Sequence, residues 1–161
     1  MNIVFLGIGG NLGNRLKTLG NCRNLIEKHC GKIFKVSKIY ETEAWGIHDQ
    51  PAFLNQALLL QTNFSVTQLM TCILNVEKKL GRIRKEKFGP RLIDIDIIFF
   101  NSEIFSNSLV TVPHPEMHKR RFVLIPLAEI AELLLHPVLQ KSCFELLSDC
   151  EDELIVKKFS R

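Results

Sequence analysis

Asp94 and Asp96 stand two positions apart in an otherwise apolar run, Leu92-Ile93-Asp94-Ile95-Asp96-Ile97-Ile98-Phe99-Phe100. A run so rich in β-branched and aromatic residues, just after Gly89-Pro90, predicts a strand buried in a sheet. Alternation along a strand sends both carboxylates to one face, with Cα atoms roughly 6.5–7 Å apart. Burying that pair is costly unless something positive neutralises it. Mg²⁺ suits the role, because it takes one or two carboxylates and completes its shell with water and phosphate oxygens. Two such ions about 3.5–4 Å apart could be bridged by the pair. The other reading is a strand at a sheet edge with a solvated face.

The segment just upstream adds to the metal reading. Seven of the fifteen residues from Glu77 to Arg91 are Lys or Arg, among them Arg82, Arg84 and Arg91. The guanidinium fork matches phosphate oxygens, and its charge does not titrate near neutrality. An isolated charge run is usually a solvated face. Next to Asp94 and Asp96, it reads as equipment for phosphoryl transfer.

Two other segments carry residues suited to a ligand. Trp45, the only tryptophan, falls in a predicted loop before Phe53 and Asn55. With Phe53 and Phe122 it could sandwich a flat heterocycle, while Asn55 offers the donor–acceptor pair of an amide. Equally, Trp45 could cover the core edge and Asn55 fix a turn. In Pro113-His114-Pro115 the prolines stiffen the backbone around His114, which could donate to a phosphate that Arg120 neutralises. His29, His48, His118 and His136 read as structural.

These residues need elements to hold them. Ile3–Ile8 predicts a strand, ended by Gly9-Gly10-Asn11, and a helix follows up to Gly31. Lys32–Thr42 and Phe53–Thr62 predict two more strands, with a loop at Glu43–Pro51 between them. Ser65 with Gln68 forms a capping box for a second helix, whose buried stripe is Val66, Leu69, Ile73, Val76 and Leu80. The aspartate strand closes a β-α-β-β-α-β order. That order predicts a ferredoxin-like α+β fold: a mostly antiparallel sheet with helices packed on it. Short strands near Ile104 and Leu109–Val112, helices near Val123–Glu132 and Cys143–Leu147, and a strand at Leu154–Val156 would cover the rest. One domain, residues 1–161, is expected.

Gly7-Ile8-Gly9-Gly10-Asn11-Leu12-Gly13 lacks the spacing of a dinucleotide fingerprint, since Leu12 stands where the third glycine belongs. It reads as a tight turn into the first helix. No Gly-Lys-Ser/Thr occurs, so there is no P-loop. The five cysteines are odd in number, widely spaced and lack a Cys-x-x-Cys, so nothing in them resembles a disulfide framework or zinc site; small buried hydrophobes are expected. The net charge of +4 is mild and fits anionic small molecules better than nucleic acid. Met1–Leu6 has no basic leader and too short an apolar stretch for a signal peptide, and no segment reaches membrane-spanning length. A cytoplasmic monomer with no membrane or nucleic-acid partner is expected.

Several ordered blocks resemble the 6-hydroxymethyl-7,8-dihydropterin pyrophosphokinases of folate biosynthesis. They are Gly9-x-Asn11-Leu12-Gly13, Tyr40-Glu41-Thr42, Asp49-Gln50-Pro51-x-Phe53-Leu54-Asn55, Glu77-x-x-Leu80-Gly81-Arg82-x-Arg84, Gly89-Pro90-Arg91-x-Ile93-Asp94-x-Asp96-Ile97 and Val112-Pro113-His114-Pro115, followed by Arg120-x-Phe122-Val123-Leu124-x-Pro126-Leu127. The resemblance implies a ferredoxin-like fold and transfer of the diphosphate of ATP to the pterin's hydroxymethyl oxygen, with release of AMP. It implies that Asp94 and Asp96 hold two Mg²⁺ and that Arg82 and Arg91 act on the transferring phosphates, with Arg84 on the same loop. Glu77, Ile97, Thr111, His114 and Arg120 would line the ATP site. Thr42, Trp45, Phe53, Asn55 and Phe122 would hold the pterin, Phe53 and Phe122 stacking on its two faces. Gly10, Ala44, Phe88 and Glu132 stand where the family usually has Ser, Pro, Trp and Pro.

The same β-α-β-β-α-β order also serves single-stranded RNA binders, which stack bases on aromatics of the sheet face. Here that strand carries Asp94 and Asp96 instead, which would repel a phosphate backbone. An inactive pterin or nucleotide sensor is a third reading.

Overall fold

The computed structural model describes residues 1–44, 49–83 and 89–160. β1 (Asn2–Gly10) leads into α1 (Arg15–His29), and the chain returns as β2 (Lys32–Val36) and β3 (Tyr40–Thr42). β4 (Phe53–Thr62), α2 (Val66–Lys79) and β5 (Asp94–Phe100) complete the β-α-β-β-α-β order, with β2 and β3 together taking the place of its second strand. The sheet runs β5-β1-β4-β3, β2 pairs the other half of β4, and all these pairings are antiparallel. This is the ferredoxin-like arrangement.

Local chemistry explains where the elements begin and break. The Ser65 hydroxyl accepts from Gln68 N at 3.2 Å while Gln68 Oε1 accepts from Ser65 N at 2.9 Å, the reciprocal cap expected at the start of α2. The single strand expected over Lys32–Thr42 is two. Ser37 N bonds Ala57 O, Ser37 Oγ takes the Ala57 amide and Ser37 O takes the Gln56 side chain, so the chain kinks there instead of extending. The aspartate strand begins at Asp94, not Leu92. Just before it, the Arg91 amide and carbonyl are bonded to Asn11, which holds this stretch against the end of β1.

Each face of the sheet is covered by its own apolar layer. Val4, Leu6 and Ile8 of β1, with Ile95 and Ile97 of β5, pack against Leu19, Cys22 and Ile26 of α1 and Leu69, Ile73 and Val76 of α2. On the opposite face lie Phe5, Ile98 and Phe99. A bulge in the β1–β5 pairing, where Phe5 opposes Phe99 and Leu6 opposes Ile97, turns both Ile98 and Phe99 to this side. Phe5 and Phe99 meet edge to face with centroids 6.4 Å apart.

The layer over that second face comes from the carboxyl-terminal third. β6 (Phe105–Ser106) and β7 (Thr111–Val112) form a small hairpin, and a 3-10 turn (Met117–Lys119) leads into α3 (Arg121–Ala131) and α4 (Cys143–Asp149). Met117, Leu124, Leu127, Cys143 and Leu146 pack on Phe5 and Phe99. The last strand, β8 (Val156–Lys158), begins two residues later than expected and pairs with β3 at the sheet's far edge. Asp94, Asp96, Gly7 and Gly9 share this second face with Phe53 and Asn55, in a stretch left open as a cavity.

Candidate active site

The cavity holds about 860 Å³ and lies beside the start of β5. Its lining brings together Thr42, Phe53, Asn55, Arg82, Arg91, Asp94, Asp96, His114, Arg120 and Phe122. Gly9 forms floor, since a Cβ there would lie 2.5 Å from Asn55 Oδ1 and 2.9 Å from the Leu54 carbonyl oxygen. At the rim Gly10 permits a closer approach: a Cβ would sit 2.2 Å from Leu92 O. A larger residue at either position would push the neighbouring strand away.

Asp94 has both carboxylate oxygens occupied. Arg82 Nη1 reaches Oδ1 at 2.6 Å and Arg91 Nη1 reaches Oδ2 at 2.8 Å. Burial opposes ionisation here, but the charges of Arg82 and Arg91 outweigh it and hold the Asp94 pKa below its ordinary value. Arg82 is shared, with Nη1 also 2.7 Å from Oε1 of the buried Glu77. That Glu77 oxygen accepts from Ile95 N at 2.9 Å, so one carboxylate anchors the arginine and the strand together.

Asp96 differs. Its nearest ring nitrogen is His114 Nε2, at 4.0 Å from Oδ2, and 37% of its side chain is open to the cavity. Burial, then the charge of Asp94, push its pKa up to about 7, with Arg120 opposing. His114 is neutral: burial first, then Arg120, lower its pKa to about 4. Its Nδ1 accepts from Glu116 N at 3.1 Å, which leaves Nε2 as the donor facing Asp96.

A carboxylate this poorly compensated, beside a second one, is a donor set for a hard cation. Among the described residues no group of three or more His, Cys, Asp or Glu could hold a metal. An ion here therefore depends on ligand oxygens from elsewhere, as a phosphate would supply. For Asp94 to join, Arg82 and Arg91 must release it.

The aromatic end has its own pattern. Arg91 Cζ lies 5.7 Å from the Phe53 ring centre and Arg120 Cζ 6.0 Å from that of Phe122. Asn55 Nδ2 is buried without a hydrogen-bond partner, an unmet donor in a residue that lines the cavity. The Thr42 hydroxyl donates to Ile155 O at 3.1 Å, a link from the cavity wall to the segment before β8.

Three expected residues lie off the cavity wall. Ile97 is buried in the layer under α1 and α2, Thr111 is exposed on β7, and Glu77 stands behind Arg82. Trp45 and Arg84 lie outside the described residues, as do Phe88 and His48. Asn11, a member of the expected turn and of the Gly9-x-Asn11-Leu12-Gly13 block with no site role expected of it, is buried and ties two connections together. Its Nδ2 donates to Gln50 Oε1 and Pro51 O, both at 2.9 Å, and its Oδ1 accepts from Arg91 N at 2.9 Å. An asparagine directly after a strand and before a helix was the available signal.

Comparison with known proteins agrees with this geometry. Residues 5–132 match the family model for 7,8-dihydro-6-hydroxymethylpterin-pyrophosphokinase. A 2-amino-4-hydroxy-6-hydroxymethyldihydropteridine pyrophosphokinase of Aquifex aeolicus is 39% identical, over 88% of this chain and 88% of its own. The enzyme of that name from Bacillus subtilis is 40% identical, over 81% of this chain and 79% of its own. Among solved structures, the crystal structure of wild-type Plasmodium falciparum HPPK-DHPS shares the fold, with a TM-score of 0.72 at 17% identity. That match covers 91% of this chain and 44% of the longer one. A family model matched over most of the sequence, and relatives about 40% identical over most of their length, show that the chain belongs to the 7,8-dihydro-6-hydroxymethylpterin-pyrophosphokinase family.

Proposed function

We propose that this protein transfers the diphosphate of ATP to the hydroxymethyl oxygen of 6-hydroxymethyl-7,8-dihydropterin, giving the pterin diphosphate and AMP in folate biosynthesis. Membership of the family and the names of its relatives support the activity. The observation that carries the chemistry is the pairing of Asp94, held by two arginines, with Asp96, held by none of the ion pairs described, in one cavity.

The family resemblance and the positions of the described side chains support the following division of labour. Phe53 and Phe122 stack on the two faces of the pterin, and the unmet amide of Asn55 pairs with its edge. Thr42 and Trp45 complete that end. Arg82 and Arg91 leave Asp94 for phosphate oxygens, meeting the charge that develops during transfer, and Arg84 follows them. His114, fixed as an Nε2 donor, hydrogen-bonds phosphate, and Arg120 neutralises it. Glu77 keeps Arg82 and the start of β5 in place, while the nucleotide-lining roles of Ile97 and Thr111 rest on the family resemblance alone, since both lie off the cavity wall. Asp94 and Asp96 hold two Mg²⁺, which when bound neutralise phosphate charge and favour in-line attack at the β-phosphorus.

Residues 1–161 act as one domain, a cytoplasmic monomer without nucleic-acid or membrane partners. Among the described residues no helix is long and apolar enough to cross a membrane. The RNA-binding reading loses support because the second face is covered at Phe5, Ile98 and Phe99, and its open stretch on β5 presents Asp94 and Asp96 rather than stacking aromatics.

AMP release from ATP and Mg²⁺, with and without the hydroxymethyl dihydropterin, tests the activity. AMP should form only with the pterin, and Asp94→Ala should reduce its formation by about a thousandfold or more. Full turnover by Asp94→Ala would remove the metal assignment. RNA binding with no AMP release would favour the rival.

A further inference from the structure

Outside the cavity lining, two thiols meet where α1 ends against α2. Cys30, at the carboxyl-terminal cap of α1, is buried, and its Sγ lies 2.7 Å from Sγ of Cys72 in the second turn of α2. A covalent S–S bond is about 2.05 Å, so only a small side-chain adjustment separates this contact from one. The two residues are 42 positions apart in the chain, and the proposed mechanism uses neither. The remaining cysteines, Cys22, Cys143 and Cys150, are free.

The two thiols differ in access. Cys72 is only partly buried and lines a surface hollow of about 580 Å³ with His29, Gln68, Asn75, Lys78 and Lys79. Its Sγ also contacts the His29 carbonyl oxygen at 3.4 Å, and Lys79 Nζ stands 3.2 Å from His29 Nε2. Cationic side chains around a half-open sulfur favour the approach of an anionic reagent. Cys30 lies beneath, out of solvent, with its Sγ against that of Cys72.

We propose that Cys30 and Cys72 are a redox modification site, converted by small anionic disulfides of the glutathione class into a reversible bond that staples α1 to α2. The Cys72 thiolate attacks one sulfur of the oxidant, forming a mixed disulfide and expelling one thiolate, which takes up the proton Cys72 lost. Cys30 then attacks Cys72 Sγ, breaking the mixed disulfide. The second small thiol leaves with the Cys30 proton. In sum the protein's two thiols are oxidised and one small disulfide is reduced to two thiols. Burial and the neighbouring Cys72 keep the Cys30 thiol protonated until that second step, since both raise its pKa.

The test uses the full chain, incubated with oxidised glutathione, alkylated and digested without reduction. A peptide linking Cys30 to Cys72, two hydrogens lighter than the separate thiol peptides, is the expected product. Closing a loop of this length should raise the Tm by on the order of 5 °C or more, reversibly with dithiothreitol. Cys72→Ser should lose both link and shift, with unchanged AMP release in reducing buffer. Cys30→Ser should stop at the glutathione adduct on Cys72. A wild-type chain that stops at that adduct, or that links other cysteines, overturns the proposal. Because the readout is a covalent link, its failure is separate from any failure of the transferase reading.

Discussion

Asp94 has guanidinium nitrogens at 2.6 and 2.8 Å, whereas the His114 ring nitrogen facing Asp96 is 4.0 Å away and uncharged near neutrality. The two carboxylates therefore answer differently to pH. With a pKa raised from 3.8 to about 7, Asp96 holds a proton in the metal-free folded protein that the unfolded chain has lost. That contribution to folding is present below pH 3.8 and fades as pH rises through about 7. His114 acts in the opposite sense: stability falls as pH drops from 6.5 to about 4, because the unfolded chain takes the proton first. A cation must expel the Asp96 proton, so Mg²⁺ affinity with a non-hydrolysable ATP analogue should climb with pH and level off above about 7. Asp96→Asn should abolish that part of the climb, measured by calorimetric titration across the range. Arg82→Ala should lower kcat far more than it weakens ATP binding. It also strips a partner from the buried Glu77, so a loss of stability on the order of 2–4 kcal/mol should accompany it in denaturant titration.

At the scale of elements, much of this molecule is legible in its residues. The Ser65–Gln68 cap, the apolar stripe of α2 and the apolar runs that become β1 and β4 are local signals, and the structure has each of them. The break at Ser37 was not legible, because it depends on Gln56 and Ala57 of another strand. The arginine clasp on Asp94 was hidden for the same reason: sequence showed cations near carboxylates, not which nitrogen meets which oxygen. Asn11 is the clearest case. A single side chain at the end of β1 bonds the connection into β4 and the connection into β5, two segments some 40 and 80 positions away. Asn11→Ala should cost about 1–3 kcal/mol by orphaning those groups, and should slow AMP release by displacing Arg91. Asn11→Asp keeps the acceptor for Arg91 N but loses both donors, so the pterin KM should rise more than the ATP KM. Equal effects of the two variants on both substrates would contradict this division.

Viewed whole, the protein sets one rigid sheet between two apolar layers and leaves one end open. The carboxyl-terminal segment is part of that frame: β8 extends the sheet beside β3, Asp152 Oδ2 accepts from Arg121 N at 3.0 Å, and Ile155 O holds the Thr42 hydroxyl. Removing residues 150–161 should raise the KM for pterin several-fold while changing that for ATP little, a difference steady-state kinetics would resolve. The arginine clasp has a consequence for how ligands must arrive. Without substrate, Arg82 and Arg91 already satisfy Asp94, so the ligand-free protein is its own competitor. A cation entering alone would evict two guanidiniums and strand them. A nucleotide entering alone would draw them off and uncover a bare carboxylate. Under the proposed assignment each visitor makes room for the other, so metal and nucleotide should bind with positive cooperativity.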